Sequence, residues 1–196
     1  MSGKRSFTDA ELVVAAKQVF WDRGYEGTAI DDLQAATGLS RSSLYLAFGT
    51  KRAVFDAAVA EYVNSFVDPR ISPLEAPGAG VREAAAFFRE FASYYRRADA
   101  DRGCLLINAM AELAGRDPSF SPVSVAYHDR LRGAFANALG NAAMDSKQAG
   151  RRSAMLTAST LGVWITVRFD PAAAATTCRA LEREILSWGT PAAHCS

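Results

Sequence analysis

The sequence is poor in the residues that form metal centres, catalytic triads and disulfide networks. It holds two histidines and three cysteines, and an odd, sparse set of cysteines is not typical of a disulfide framework. No GxSxG, phosphate-loop or HExxH motif occurs in it. We therefore expect no enzymatic activity, no metal ion and no cofactor, and we expect the protein to lie in a reducing cytoplasm.

Long apolar runs and an excess of one charge are also missing. The longest uncharged stretch has 15 residues, 153–167, whereas a membrane span needs about 20 predominantly apolar residues. Residues 1–9 contain no apolar core of a secretory signal. The formal net charge is only +1, so a role on nucleic acid has to follow from local features.

Helix signals are abundant along the chain. Periodic apolar faces between glycine and proline breaks predict an all-α protein of about nine helices without strands. Thr8, with Glu11 three residues later, predicts a capping box at the start of the first helix. Prolines and glycines concentrate in residues 67–80, which predicts a linker between two domains. The first, residues 1–66, is a head with a three-helix helix-turn-helix and a fourth, longer helix. The second is a larger helical domain, residues 81–196.

Residues 28–48 contain two short helices joined at Gly38. Thr28 is predicted to open the first helix and Ser40 to cap the second, which is the pattern of a helix-turn-helix whose second helix enters the DNA major groove. The second helix begins with one long base and two small hydroxyl side chains, which suit guanine or phosphate contacts and close approach to base edges: Arg41, Ser42 and Ser43.

Positive charge is concentrated in the same part of the head. Residues 1–66 carry a net charge of −1, but residues 37–53 contain three bases and no acid, and residues 1–7 add two more bases. We expect DNA to approach these two segments, because neutralising phosphates with lysine and arginine supplies much of the affinity for DNA.

Residues 19–59 resemble the N-terminal head of the tetracycline-repressor (TetR) family. Residue type and spacing agree at Phe20, Gly24, Tyr25, Thr28, Ile30, Leu33, Ala36, Gly38, Leu39, Ser40, Leu44, Tyr45, Phe48, Lys51 and Phe55. The resemblance implies two sets of DNA contacts, bases read by Arg41, Ser42 and Ser43 and phosphates held by Thr28, Tyr45 and Lys51. In one departure, Ala47 stands where members of the family often carry histidine, which removes one possible contact to the DNA backbone.

The larger domain offers aromatic rings at helical spacing. Such rings usually form core, and the functional alternative is a cavity lined by apolar rings with a few polar groups, as in small-molecule sites. The candidate lining residues are Phe87, Phe91, Tyr94, Asn108, Tyr127, His128 and Trp164. Cys104 is interpreted either as a small buried hydrophobe or as a redox-sensing thiol.

The last two predicted helices suit a dimer interface. The first carries small residues four apart along an uncharged stretch, and a helix without charge on any face has to be covered. In the TetR family these two helices pair with their copies, and the candidate interface residues are Ala154, Ala158, Gly162, Thr166, Leu181 and Ile185. The alternative is that this surface is buried within one subunit.

The sequence therefore predicts a homodimeric repressor that binds a palindromic operator and is released by a small-molecule inducer. The predicted helix after Thr50, residues 51–66, joins the two domains and would transmit the effect of the ligand. The alternatives are a DNA-binding regulator of the same fold that activates or needs no ligand, and a helical small-molecule-binding protein without a function on DNA.

Overall fold

The computed structural model describes residues 9–97, 100–142 and 144–189, and all regular secondary structure in these ranges is helical. Ten α-helices follow in chain order: α1 (Asp9–Arg23), α2 (Ile30–Thr37), α3 (Arg41–Phe48), α4 (Lys51–Tyr62), α5 (Asp68–Glu75), α6 (Val81–Tyr94), α7 (Leu105–Leu113), α8 (Ser121–Gly140), α9 (Ser146–Thr166) and α10 (Pro171–Ser187). A π-helical turn, Val63–Val67, follows α4, and a 3-10 turn, Ala100–Arg102, precedes α7. The all-α prediction is confirmed, while the predicted cap Thr8 and the basic residues 1–7 lie outside the described residues.

The chain divides into two compact units. The first contains the chain up to Val67 together with Cys104–Glu112, and the second contains Asp68–Gly103 and the chain from Leu113 onward. Nearly all of α7 therefore belongs to the first unit, although the sequence placed this helix in the larger C-terminal domain.

The predicted linker is wrong over Asp68–Glu75, because this proline-rich segment forms helix α5. A proline inside a helix removes one backbone hydrogen bond and costs about 3 kcal/mol, and Pro73 lies inside α5. Packing within the second unit compensates, since Ile71 and Leu74 are buried. The amide of Asn137 on α8 also donates to the carbonyls of Leu74 and Ala76, at 2.7 and 3.1 Å, and so satisfies the C-terminal end of α5.

An aromatic core holds the first unit together. Phe20 of α1 and Phe55 of α4 are buried and meet edge to face, with ring centroids 5.1 Å apart. Leu33 of α2 and Leu44 of α3 are fully buried as well. Each of the four helices therefore contributes at least one large apolar side chain to a single core, which orients α2 and α3 relative to α1 and α4.

The second unit has its own core of rings. Phe87, Phe88 and Phe91 of α6 are buried there with Phe135 of α8 and Trp164 of α9. The inner face of α10 consists of Ala174, Cys178 and Ile185, each fully buried. None of the helices that the structure describes is long and apolar enough to cross a membrane.

Candidate nucleic-acid interface

Helices α2 and α3 form the predicted helix-turn-helix. Gly38 ends α2 with a φ of 70°, a backbone conformation that favours glycine, and its N–H donates to the carbonyl of Gln34 at 2.8 Å. Ser40 then caps α3, because its hydroxyl oxygen accepts a hydrogen bond from the backbone N–H of Ser43 at 3.1 Å. The turn between the two helices is therefore built by local chemistry, as the sequence predicted.

The first turn of α3 presents the predicted base-reading residues to solvent. Arg41, Ser42 and Ser43 are all exposed, whereas Leu44 is the buried residue of this helix. The hydroxyls of Ser42 and Ser43 each lie 2.9 Å from the hydroxyl of Ser40. The arrangement leaves three polar side chains together on one accessible surface, and their roles on DNA stay predictions.

Two further candidates, Tyr45 and Lys51, have aromatic–cation contacts. The guanidinium carbon of Arg41 lies 5.9 Å from the centroid of the Tyr45 ring, and the ammonium of Lys51 lies 4.6 Å from the centroid of the Tyr25 ring. Both distances are within the range of cation–π attraction. These contacts orient the two cations while leaving their remaining donors available to an anion.

The Thr28 hydroxyl, predicted to hold a phosphate, has a partner within the chain itself, and its role on DNA stays a prediction. Thr28 is buried, and its hydroxyl donates to the carbonyl of Gly24 at 2.6 Å. Helix α2 begins only at Ile30, and the carboxylate of Asp32 accepts a hydrogen bond from the N–H of Ala29 at 2.9 Å. Thr28 therefore satisfies the carbonyl of Gly24, and the carboxylate of Asp32 satisfies the N–H of Ala29 at the start of α2.

Glu112 of α7 is a residue of the first unit that the sequence analysis missed. One carboxylate oxygen accepts from the backbone N–H of Tyr25 at 2.9 Å, and the other accepts from the N–H of Glu26 at 2.6 Å. Gly24 turns the chain here with a φ of 73°, and a Cβ atom on it would lie 2.7 Å from a Glu112 oxygen. Since the partners are 86 and 87 residues apart, no local sequence signal could have found this contact.

The aromatic candidates for an effector site come together in the second unit. The ring centroids of Phe87 and Phe91 are 4.8 Å apart, those of Phe91 and Trp164 are 4.9 Å apart, and Tyr94 lies 6.0 Å from Trp164. Tyr127 is also buried. The rings of Phe87, Phe91, Tyr94 and Trp164 pack against one another as a core, which agrees with the more common interpretation of such a pattern.

His128 and Asn108 are two further polar candidates for the effector site. The side chain of His128 is 43% exposed, and its Nδ1 lies 3.2 Å from a carboxylate oxygen of Asp129. His128 therefore reaches the surface of the second unit, and its role in lining an effector site stays a prediction. Asn108 lies on α7 in the first unit and is partly buried.

The thiols of Cys104 and Cys178 are both buried. Burial raises the pKa of Cys104 above its ordinary value and raises the pKa of Cys178 to about 12. A thiol that stays protonated is a poor nucleophile. The structure thus favours the interpretation of Cys104 as a small buried hydrophobe over a redox-sensing thiol.

Helix α9 exposes the stripe of small residues that the sequence proposed as a dimer surface. Ala154, Ala158 and Gly162 are exposed, and Thr166 is partly exposed. Ile165 is 51% exposed on the same helix face. In the single chain this surface is not covered by the rest of the described protein, contrary to the alternative of burial within one subunit.

The prediction for α10 needs a correction. Ile185 is fully buried within the protomer, in line with Ala174 and Cys178, so its side chain has no surface left for a partner. Leu181 is only partly buried. The apolar periodicity of α10 therefore marks the face that packs into its own subunit, and Leu186, which is 42% exposed, lies off that face.

Comparisons with known proteins agree with this geometry. A sequence model described as bacterial regulatory proteins, tetR family, matches residues 12–58. The HTH-type transcriptional regulator YezE of Bacillus subtilis (strain 168) is 32% identical over 139 residues, which cover 71% of this chain and 72% of YezE. The HTH-type transcriptional repressor ComR of Escherichia coli (strain K12) is 34% identical over 107 residues, 54% of this chain and 50% of ComR.

A solved structure extends the likeness along almost the whole chain. A cysteine-substituted form of the TetR-family regulator CifR, complexed with 26-bp double-strand operator DNA, is similar with a TM-score of 0.70 and 26% identity, over 95% of this chain and 100% of that one. This chain therefore belongs to the TetR family of bacterial transcriptional regulators. It is a DNA-binding regulator with a helix-turn-helix, and the prediction that it is not an enzyme is confirmed by the family.

Proposed function

We propose that this regulator is a cytoplasmic repressor that binds a palindromic operator as a homodimer and is released by a small-molecule inducer. The observation that carries the DNA part is the exposed first turn of α3, where Arg41, Ser42 and Ser43 stand together on one surface. Relatives named as repressors, such as ComR, support the direction of the effect. A dimer of such heads calls for an operator with two symmetric half-sites.

Arg41 is the long charged side chain on the exposed face of α3. An arginine in the major groove can donate two hydrogen bonds to one guanine, which gives about 1–3 kcal/mol of discrimination against another base. Contact with the Tyr45 ring limits the conformations of the guanidinium before DNA arrives. Tyr45 and Lys51 would hold phosphates on either side of the base contacts. Lys51 is at the first position of α4.

The exposed stripe of α9 supports the dimer. Small residues let two helix backbones approach closely, and the exposed side chains of Met155 and Ile165 would lose their contact with water in the interface. Leu181 and Leu186 are apolar residues of α10 that keep surface for a partner. This surface on one protomer would pack against the same surface on its copy, as a two-fold axis requires.

The effector site is proposed for the aromatic cluster of the second unit. Phe87, Phe91, Tyr94 and Trp164 provide the ring-lined surroundings that apolar small molecules favour, and Tyr127 is the further buried ring proposed for the site. Because the rings are in contact with one another, a ligand has to displace at least one of them. The ligand-bound and ligand-free conformations would then differ in their ring contacts. Through this difference, binding of the ligand could change the affinity for DNA.

The DNA part of the proposal is tested by selecting binding sites from random duplexes, for the wild type and for Arg41→Ala. The wild type should enrich a palindrome, and Arg41→Ala should lose the preference at one base pair in each half-site. Arg132→Ala is the matched control, because Arg132 is also exposed but lies on α8. If Arg41→Ala prefers the same site with the same strength, the recognition helix is assigned wrongly, and if all sequences weaken equally, Arg41 holds a phosphate instead.

A reporter gene placed behind the selected operator tests the direction of regulation. Co-expression of the wild type should lower the signal, whereas a rise would make the protein an activator. A thermal-shift screen of small molecules, followed by the same reporter, tests the inducer. A compound that raises the melting temperature should also restore the reporter signal, and Trp164→Phe should reduce the shift if the ring cluster is the site.

A further inference from the structure

Leu46, on α3, is exposed to solvent. The residue is 90% exposed, which is the largest value among the exposed large apolar residues of the described chain. Single apolar residues on a surface are common, so exposure alone has no functional meaning. Leu46 lies within the eight-residue helix α3, which is the proposed recognition helix, so an exposed side chain here can contact DNA.

Leu46 shares a helix face with the predicted base-reading residues. Residues three and four apart are neighbours on a helix surface, and Leu46 follows Ser43 by three positions and Ser42 by four. A helical side chain also leans toward the N-terminus of its helix, so Leu46 leans toward the two serines. It therefore extends the surface that carries Arg41, Ser42 and Ser43 by one turn, which corresponds to about 5.4 Å along the helix axis.

The chemistry of the major groove limits what this side chain can recognise. Leucine has no hydrogen-bond donor or acceptor, and the edges of the base pairs in the major groove carry donors, acceptors and a single apolar group, the C5-methyl of thymine. Contact with a donor or acceptor would remove water from it without replacing the hydrogen bond. Contact with the methyl group removes water from two apolar groups at once.

We propose that Leu46 reads the C5-methyl group of one thymine in each half-site of the operator. Leu46 is then a specificity-determining residue that complements the polar contacts of the helix start. The proposal rests on the proposed function, since it requires α3 to lie in the major groove. It adds a preference for a T·A pair at a position beside the base pairs that Arg41, Ser42 and Ser43 contact.

The test removes only the methyl group. In the operator selected by the wild type, each thymine is replaced in turn by deoxyuridine, symmetrically in both half-sites, which leaves every donor and acceptor in place. Burying one methyl-sized group contributes about 0.8 kcal/mol, which corresponds to about a fourfold change in affinity and to about fifteenfold for the two half-sites. We expect one pair of thymines in the wild-type complex to show a loss of this size.

The same titrations on Leu46→Ala show whether Leu46 is the residue that reads the methyl group. Its exposure and the good helix propensity of alanine leave the fold intact, and the variant should bind the thymine and deoxyuridine operators equally at the sensitive position. Val125→Ala is the matched control, because Val125 is 58% exposed on α8, and it should keep the wild-type difference. At the same position, 5-methylcytosine should bind the wild type about fourfold per half-site more tightly than cytosine does, and Leu46→Ala should bind both alike.

The outcomes separate the inference from the proposed function. If the wild type selects no operator, the proposed function fails and the inference fails with it. If the wild type binds an operator but no thymine is sensitive to loss of its methyl group, Leu46 reads no methyl. If a thymine is sensitive and stays equally sensitive in Leu46→Ala, another side chain reads it, and the inference is overturned while the function stands.

Discussion

Removal of the Glu112 carboxylate should loosen the turn that leads into the helix-turn-helix. In the first unit, this carboxylate accepts hydrogen bonds from the backbone N–H groups of Tyr25 and Glu26, at 2.9 and 2.6 Å. Glu112→Ala removes both acceptors. Glu112→Gln keeps the shape but retains only one acceptor oxygen, because its amide nitrogen would face a backbone N–H.

The magnitude follows from the number and the surroundings of these bonds. A hydrogen bond to a charged group contributes about 1.5–3 kcal/mol, but the Glu26 amide is exposed and Glu112 is only partly buried, so water replaces much of what is lost. We take about 1 kcal/mol for each bond, and thus about 2 kcal/mol for Glu112→Ala and about half of that for Glu112→Gln.

Hydrogen exchange measures this change directly. A loss of about 2 kcal/mol corresponds to exchange about 30-fold faster at the two amides, observed in peptides that cover residues 21–30. Glu26→Gln is the control, since it also removes one negative charge from the turn and leaves the Glu112 carboxylate in place. Operator affinity should fall as well, because the Tyr25 ring lies against Lys51 and its centroid is 4.9 Å from that of Phe55.

The reasoning would be refuted by a simple result. Exchange at Tyr25 and Glu26 that is as slow in Glu112→Ala as in the wild type would mean that the carboxylate does not hold these amides in solution. Faster exchange with unchanged operator affinity would mean that the turn is held by Glu112 but does not position the DNA-binding residues.

Three further predictions concern single side chains. Lys51→Ala should weaken specific and non-specific DNA binding alike and lower the slope of log affinity against log salt by about one unit; an unchanged slope would mean that Lys51 touches no phosphate. Gly162→Arg should give monomer or aggregate in size-exclusion chromatography with light scattering, because it would bury an unpaired charge in the dimer interface. A Cβ at Gly162 meets nothing within 4 Å in its own chain, so the arginine should not disturb the protomer, and a normal dimer would remove Gly162 from the interface. Glu75→Gln should destabilise the protein near neutral pH, since the hydrogen bonds and charge of Arg130 lower the pKa of Glu75 below 4.5. The stabilisation by ionised Glu75 is complete above pH 4.5 and is lost as the pH falls through the lower folded-state pKa. In urea unfolding, the difference in the free energy of unfolding between Glu75→Gln and the wild type should therefore shrink in acid, and a difference that is constant with pH would contradict this assignment.

Local signals were sufficient for the helix-turn-helix. Helix α3 runs from Arg41 to Phe48 as predicted, because its start is set by the hydroxyl of Ser40 and its end by Gly49 with a φ of 80°. Both signals act within four residues of the backbone groups that they satisfy. The same local pattern carries the resemblance to the TetR family, which the comparisons confirm.

Local signals failed where a distant partner competes with them. The prolines of residues 67–80 argue for a linker, but Asn137 and Arg130 of α8 hold the segment as a helix by contacts with partners 55–63 residues away. The sequence supplies these groups, and only folding decides which of them meet.

The sequence by itself determined the class of protein, the helix-turn-helix and the presence of apolar faces on the last two helices. Only the tertiary structure decided what those faces pack against. Periodicity shows that Gly162 and Ile185 each lie on an apolar or uncharged face, but it contains no information on the neighbour. Ile185 is buried in its own subunit and Gly162 is exposed, because α10 packs its inner face against its own subunit and α9 keeps one face outward. Because the hydrophobic effect is non-directional, a face buried within its own subunit and a face buried in a dimer interface have the same pattern of residues in the sequence.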